Sequence, residues 1–190
     1  MSQNATAQQA RTVNTIDRGK LDLKALTLYA ILLAAGFVLN MTVSKFFSGL
    51  TGGILSPEFI IAAFCLETLI IKPKVGQAAV LGLLAGVVIQ ITASVKGPDL
   101  IAEPVAAIVM ALLVNALGNG DAKKVLPLVG TFVVTCVSGL IYAVIFSFLI
   151  MKNPAFVGVM APVVAATGVA NAIIVSALYL PIKKALKLND

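Results

Sequence analysis

Of the 190 residues, 59% are apolar and 12% charged, with a net charge of +6, and the mean hydropathy is +1.03. A water-soluble domain, in which roughly half of the residues are apolar, is thereby excluded. There is no histidine and there are only two cysteines, so the commonest general base is missing and metal clusters or thiol redox pairs are poorly supported.

Residues 1–24 are polar, and Ser2–Thr15 is dominated by Ser, Asn, Gln and Thr, the composition of a disordered tail. No short apolar core marks a cleavable signal peptide there. Six apolar runs follow and predict helices over Ala25–Ser44, Pro57–Ile71, Val75–Val95, Glu103–Leu117, Val125–Met151 and Phe156–Leu186. About 20 apolar helical residues cross a bilayer core; several runs reach that length, while the second and fourth are short. Lipid offers no hydrogen bonds, which leaves helices or closed barrel strands, and these runs lack the alternation of barrel strands. The expected fold is an all-α integral membrane six-helix bundle, a single domain over 25–190 behind a cytoplasmic tail over 1–24.

Orientation follows from the cations. With N- and C-termini cytoplasmic, the inner segments hold Arg11, Arg18, Lys20, Lys24, Lys72, Lys74, Lys123, Lys124, Lys183, Lys184 and Lys187. Only Lys45, Lys96 and Lys152 then fall outside. That asymmetry is the positive-inside pattern, and it accounts for most of the net charge. The basic residues are scattered, without the aromatic-interleaved patch of a nucleic-acid surface.

No GxxxxGK[ST] loop is present, so nucleotide hydrolysis by that route is excluded. Most of the eight carboxylates fall in tails or loops, which argues against an enzyme. What remains is the set of polar groups at membrane depth, costly there and so functional candidates. Asn40 ends the first run and Lys45 lies just beyond it. Ser56-Pro57-Glu58 and Glu103-Pro104 stand at the expected outer starts of the second and fourth helices, where an acidic group before the first turn also suits plain capping. Asn171 sits mid-span in the sixth helix, four residues after Thr167 and on the same face; an interhelical hydrogen bond explains it as readily as a ligand does. Glu67, near Lys72 and Lys74, reads as half of a local ion pair.

The aromatics Phe46, Phe47, Phe59, Tyr142, Phe146, Phe148 and Phe156 all map to the outer half. They either face lipid or line an external pocket for a flat ligand, with the linker Lys45–Ser56 as a lid. Small residues recur at i, i+4 in Ala30/Ala34 and Gly82/Gly86, spacing that lets helices approach closely, inside the bundle or against a partner.

Several local features, taken in order, carry a resemblance: Ala30-Ile31-Leu32-Leu33-Ala34; Pro57-Glu58-Phe59; Glu103-Pro104-Val105; Gly130-Thr131 with Ser138-Gly139; and Pro162, Asn171 and Tyr179-Leu180-Pro181-Ile182. Over roughly Leu26–Leu186 the chain resembles the substrate-binding membrane subunits, or S components, of energy-coupling factor transporters, and among them most nearly the tryptophan transporter group. The resemblance implies an outward-facing capture subunit in a bacterial plasma membrane. It would bind tryptophan or a vitamin and deliver it inward with a T component and two cytoplasmic ATPases, without a cofactor or catalytic activity of its own. Carried onto this sequence, Ala30 and Ala34 form the docking face. Asn40, Lys45, Phe47, Glu103, Tyr142 and Asn171 form the substrate site, with Lys45 for a ligand carboxylate, Glu103 for an ammonium or ring N–H, and Phe47 and Tyr142 flanking a ring. Pantothenate and a pyrimidine precursor suit the same pocket. The competing readings are a small membrane scaffold that uses its Ala/Gly stripes for partners and a membrane enzyme centred on Glu58 and Glu103.

Overall fold

A computed structural model describes residues 19–117 and 125–187; residues 1–18, 118–124 and 188–190 lie outside the described residues, and with them most of the expected cytoplasmic tail and the inner cations Arg11, Arg18, Lys123 and Lys124. Six helices make up the described chain: α1 (Leu23–Leu50), α2 (Phe59–Ile71), α3 (Val75–Gln90), α4 (Asp99–Leu117), α5 (Leu126–Ile150) and α6 (Phe156–Ala185). There is no strand among the described residues. Four of the helices, α1, α4, α5 and α6, are long and apolar enough to cross a membrane; α2 and α3 are shorter apolar helices. The outer faces of the long helices carry large exposed apolar side chains such as Ile31, Leu112, Leu149 and Ile173, a surface that fits lipid better than water.

The bundle is organised around α2. Its residues Ile60–Ile71 are all buried, and it packs against each of the other five helices. With 13 residues it is about 20 Å long at 1.5 Å per residue, well short of a bilayer core of ~30 Å. A helix that short, enclosed on all sides, leaves space at one end of the bundle.

Local chemistry fixes the helix ends. The Asp22 carboxylate caps α1 by accepting from the Ala25 N–H at 2.8 Å, and Gly19 donates to the carbonyl of Ile71 at 2.8 Å, tying the start of α1 to the end of α2. At that end Lys72 is left-handed (φ 53°), which breaks the helix before Pro73. The linker expected over Lys45–Ser56 is instead helical as far as Leu50: α1 passes through a π-helical segment at Asn40–Ser44 and continues. It stops where Gly52 and Gly53 adopt positive φ. Phe46 and Phe47 therefore ride on a helix and not on a flexible lid.

Two further boundaries differ from expectation. The third helix ends at Gln90 and not Val95, because Gln90 is recruited by the following loop. Its Oε1 accepts from the Gly97 N–H at 2.9 Å and its carbonyl accepts from Lys96 Nζ. The fourth helix begins at Asp99, four residues before Glu103, and is 19 residues long, so it is not a short one. Pro104 lies inside it, where the expected helix start at Glu103-Pro104 mistook an internal proline for a first-turn one. The stripe of Gly82 and Gly86 is internal packing: a Cβ on Gly82 would lie 2.4 Å from the Glu103 carbonyl oxygen, and one on Gly86 2.7 Å from that of Asp99. Backbone meets backbone there, which only glycine permits.

Candidate solute-binding cavity

The space beyond the N-terminus of α2 is a cavity of about 440 Å³, a volume suited to a small organic molecule. It lies where α1, α3 and α5 finish and α2 and α4 begin. Asn40, Met41, Ser44 and Lys45 come from α1, Ser56 and Glu58 from the segment before α2, and Asp99 and Glu103 from α4. Thr135, Ser138 and Tyr142 of α5 and Val163, Val164 and Thr167 of α6 close the wall.

The segment entering α2 is held by side chains from other helices. A helix start exposes backbone N–H groups that need acceptors, and Glu58 makes no side-chain cap of its own. The acceptors are asparagines: the Glu58 N–H donates to Asn171 Oδ1 at 2.9 Å and the Phe59 N–H to Asn40 Oδ1 at 2.7 Å. Asn171 Nδ2 reaches Thr135 Oγ1 at 3.3 Å, and Thr167 Oγ1 donates to the Ser56 carbonyl at 3.2 Å. Ser44 and Ser56 share a hydrogen bond of 3.1 Å between their hydroxyls. The shared face of Thr167 and Asn171 thus grips residues 56–58.

The carboxylates are positioned just as firmly. Glu58 Oε1 accepts from Asn40 Nδ2, Glu103 Oε1 from the Ser138 hydroxyl at 2.7 Å, and Asp99 Oδ2 from Gln90 Nε2 at 3.3 Å. Glu103 is only 2% exposed, and its Oε2 has no hydrogen-bond partner among the described residues. The ring of Tyr142 stacks on Phe146 with centroids 5.9 Å apart, and Phe146 packs on Phe156 at 5.7 Å.

Of the residues expected at a substrate site, Asn40, Lys45, Glu103 and Tyr142 meet at this cavity. Asn171 is fully buried behind the wall, where it braces Glu58 and Thr135. Phe47 does not line the cavity; it is exposed and packs edge-on against Phe46. Tyr142 alone among the outer aromatics lines it. Ala30 and Ala34 are both exposed on α1, available to a partner. Glu67 is fully buried, and neither of its oxygens accepts a hydrogen bond among the described residues, so the ion pair with Lys72 and Lys74 is not made at hydrogen-bonding distance.

Asp99 is the cavity residue that sequence reasoning passed over, as a loop residue; Glu58 was singled out as a helix cap or an enzyme candidate, not as part of the substrate site. The available signal was the i, i+4 spacing of Asp99 and Glu103, which sets both on one helix face, but it required α4 to begin four residues earlier. No family model, curated protein or solved structure matches the chain.

Proposed function

We propose that this chain is the solute-capture subunit of an uptake transporter in a bacterial plasma membrane, crossing it with six helices. The observation that supports the reading is the cavity itself: a well-braced chamber with several polar side chains in a largely apolar wall, at one end of a bundle whose outer faces are apolar. The described lysines favour an external opening. Lys20, Lys24, Lys72, Lys74, Lys183, Lys184 and Lys187 lie towards the far end, against Lys45, Lys96 and Lys152 at the cavity end, and the cation-rich side of a membrane protein is cytoplasmic.

On this reading the chain captures a micronutrient of amino-acid or vitamin size, tryptophan first among those considered. A T component with two cytoplasmic ATPases, docked on the Ala30/Ala34 face, would then power its release inward, as the family resemblance implies. A thermal-shift screen of the purified chain in detergent tests this. A ligand bound only by the folded state adds about 2.7 kcal/mol at a hundredfold excess over its dissociation constant. Silence across amino acids and vitamins, with a folded sample, would favour a scaffold instead. That second reading has its own support in α1, the least enclosed of the long helices, which presents its small residues outward.

A further inference from the structure

We infer that the cavity recognises an ammonium group: its solute carries a protonated amine that sits against Glu103 and Glu58. The inference rests on the capture reading and narrows it, because it separates amine-bearing solutes such as tryptophan from carboxylates such as pantothenate.

The ionisable groups at the wall are unbalanced. Three carboxylates line the cavity, those of Glu58, Asp99 and Glu103, against the single cation of Lys45. Each carboxylate takes its hydrogen bond from a neutral group, the amide of Asn40, the amide of Gln90 or the hydroxyl of Ser138. Neutral donors orient a carboxylate without supplying the countercharge that a poorly solvated site needs, and an uncompensated buried charge costs several kcal/mol. The nearby lysines do not make good the deficit: Lys45 is exposed at the rim, and Lys96 is engaged with the Gln90 carbonyl.

A second observation singles out Glu103 among the three carboxylates. Glu103 is buried, lines the cavity, and retains one oxygen, Oε2, with no partner among the described residues. An N⁺–H donor satisfies such an oxygen with a charge-assisted bond, about twice as strong as a neutral one. A metal ion fits less well, since no group of three or more His, Cys, Asp or Glu able to hold one occurs among the described residues. An ammonium needs only one or two of these carboxylates and leaves the rest of the molecule to the apolar wall and Tyr142, whose ring face also attracts a cation.

The test uses the full chain in detergent with two matched series, read by thermal shift and calorimetry. The aromatic series is tryptamine, L-tryptophan and indole-3-propionate; the aliphatic series is 1,4-diaminobutane, 4-aminobutanoate and butanedioate, with pantothenate added as a carboxylate vitamin. Ammonium-bearing members of at least one series are expected to raise the melting temperature, and their carboxylate-only counterparts are not. Glu103→Gln is expected to weaken the bound amine about tenfold or more, the scale of a hydrogen bond to a charged group, and Glu58→Gln to weaken it as well. Two results overturn the inference while leaving capture intact: binding of indole-3-propionate, butanedioate or pantothenate as tight as that of any amine, or an amine whose affinity both variants leave within twofold. Silence from every compound overturns the ammonium assignment and weakens the capture reading with it.

Discussion

Asn171→Leu is expected to loosen the cavity from behind without touching its wall. Leucine fills a similar volume but offers neither an acceptor to the Glu58 N–H, now bonded at 2.9 Å, nor a donor to Thr135 Oγ1 at 3.3 Å. The Thr135 bond is long and interhelical, a kind that averages ~0.6 kcal/mol in membrane proteins. The larger cost is the Glu58 N–H, left without an acceptor at a start of α2 that no local side chain caps; a buried unsatisfied donor costs about 1–3 kcal/mol. At 2–4 °C per kcal/mol for a chain of this size, a loss of ~2 kcal/mol lowers the melting temperature by roughly 4–8 °C. Cys65 is buried and free, so a thiol-reactive dye reports unfolding directly, in a Cys136→Ala background because Cys136 is partly exposed. Ligand affinity should fall with stability, since among the described residues the hydrogen bonds that tie the Glu58 segment to α6 are this one and that from Thr167 to the Ser56 carbonyl. A melting temperature within a degree of the parent, with unchanged affinity, would show that Asn171 does not cap α2 and refute the bracing argument.

Other substitutions separate packing, binding and docking. Gly82→Leu should abolish a folded product in size-exclusion chromatography, because even its Cβ would overlap the Glu103 carbonyl at 2.4 Å, whereas Gly49→Ala, with nothing within 4 Å, should melt within about 1 °C of the parent, as surface changes do. Tyr142→Ala should weaken solute binding about fivefold or more, a loss of the order of one aromatic contact, while Phe47→Ala leaves the dissociation constant unchanged in the same calorimetric titration. Ala30→Leu together with Ala34→Leu should block cellular uptake and spare the affinity of the isolated chain; an equal fall in both would make the stripe internal packing.

The helical character and the apolar outer surface were legible because each long apolar run carries its own evidence of length and hydropathy. Boundaries were less legible where side chains act at a distance. Nothing local in Gln90 announces that it ends α3 by capturing the Gly97 N–H, and a proline after a glutamate reads as a helix start wherever it stands, which hid the first turn of α4 and Asp99 with it. Asn40, Lys45, Glu103 and Tyr142, which share one cavity, could be singled out from the sequence because polar groups within apolar runs are few. Phe47 was misplaced because the π-helical segment at Asn40–Ser44 extends α1, turning an expected loop into helix and its ring away from the cavity. Asn171 was recognisable as unusual, but its partner is a backbone N–H 113 residues away, and no spacing rule reaches that far.

The brevity of α2 connects these observations. A longer central helix would fill the end of the bundle, and its own first turn would be capped or solvated locally. By stopping at Phe59 it opens the cavity and exposes N–H groups that must be satisfied within it, which is why Asn40 and Asn171 converge there from α1 and α6. One side chain then does two things: Asn40 caps Phe59 through its oxygen and orients Glu58 through its nitrogen. On the proposed reading, a solute drawn to Glu58 and Glu103 would be held by groups whose placement depends on α1, α5 and α6 being packed together. On the capture reading, binding and the packing of the bundle at its cavity end are linked in that arrangement, and any ligand of the cavity should protect Cys65 from modification as well as raise the melting temperature.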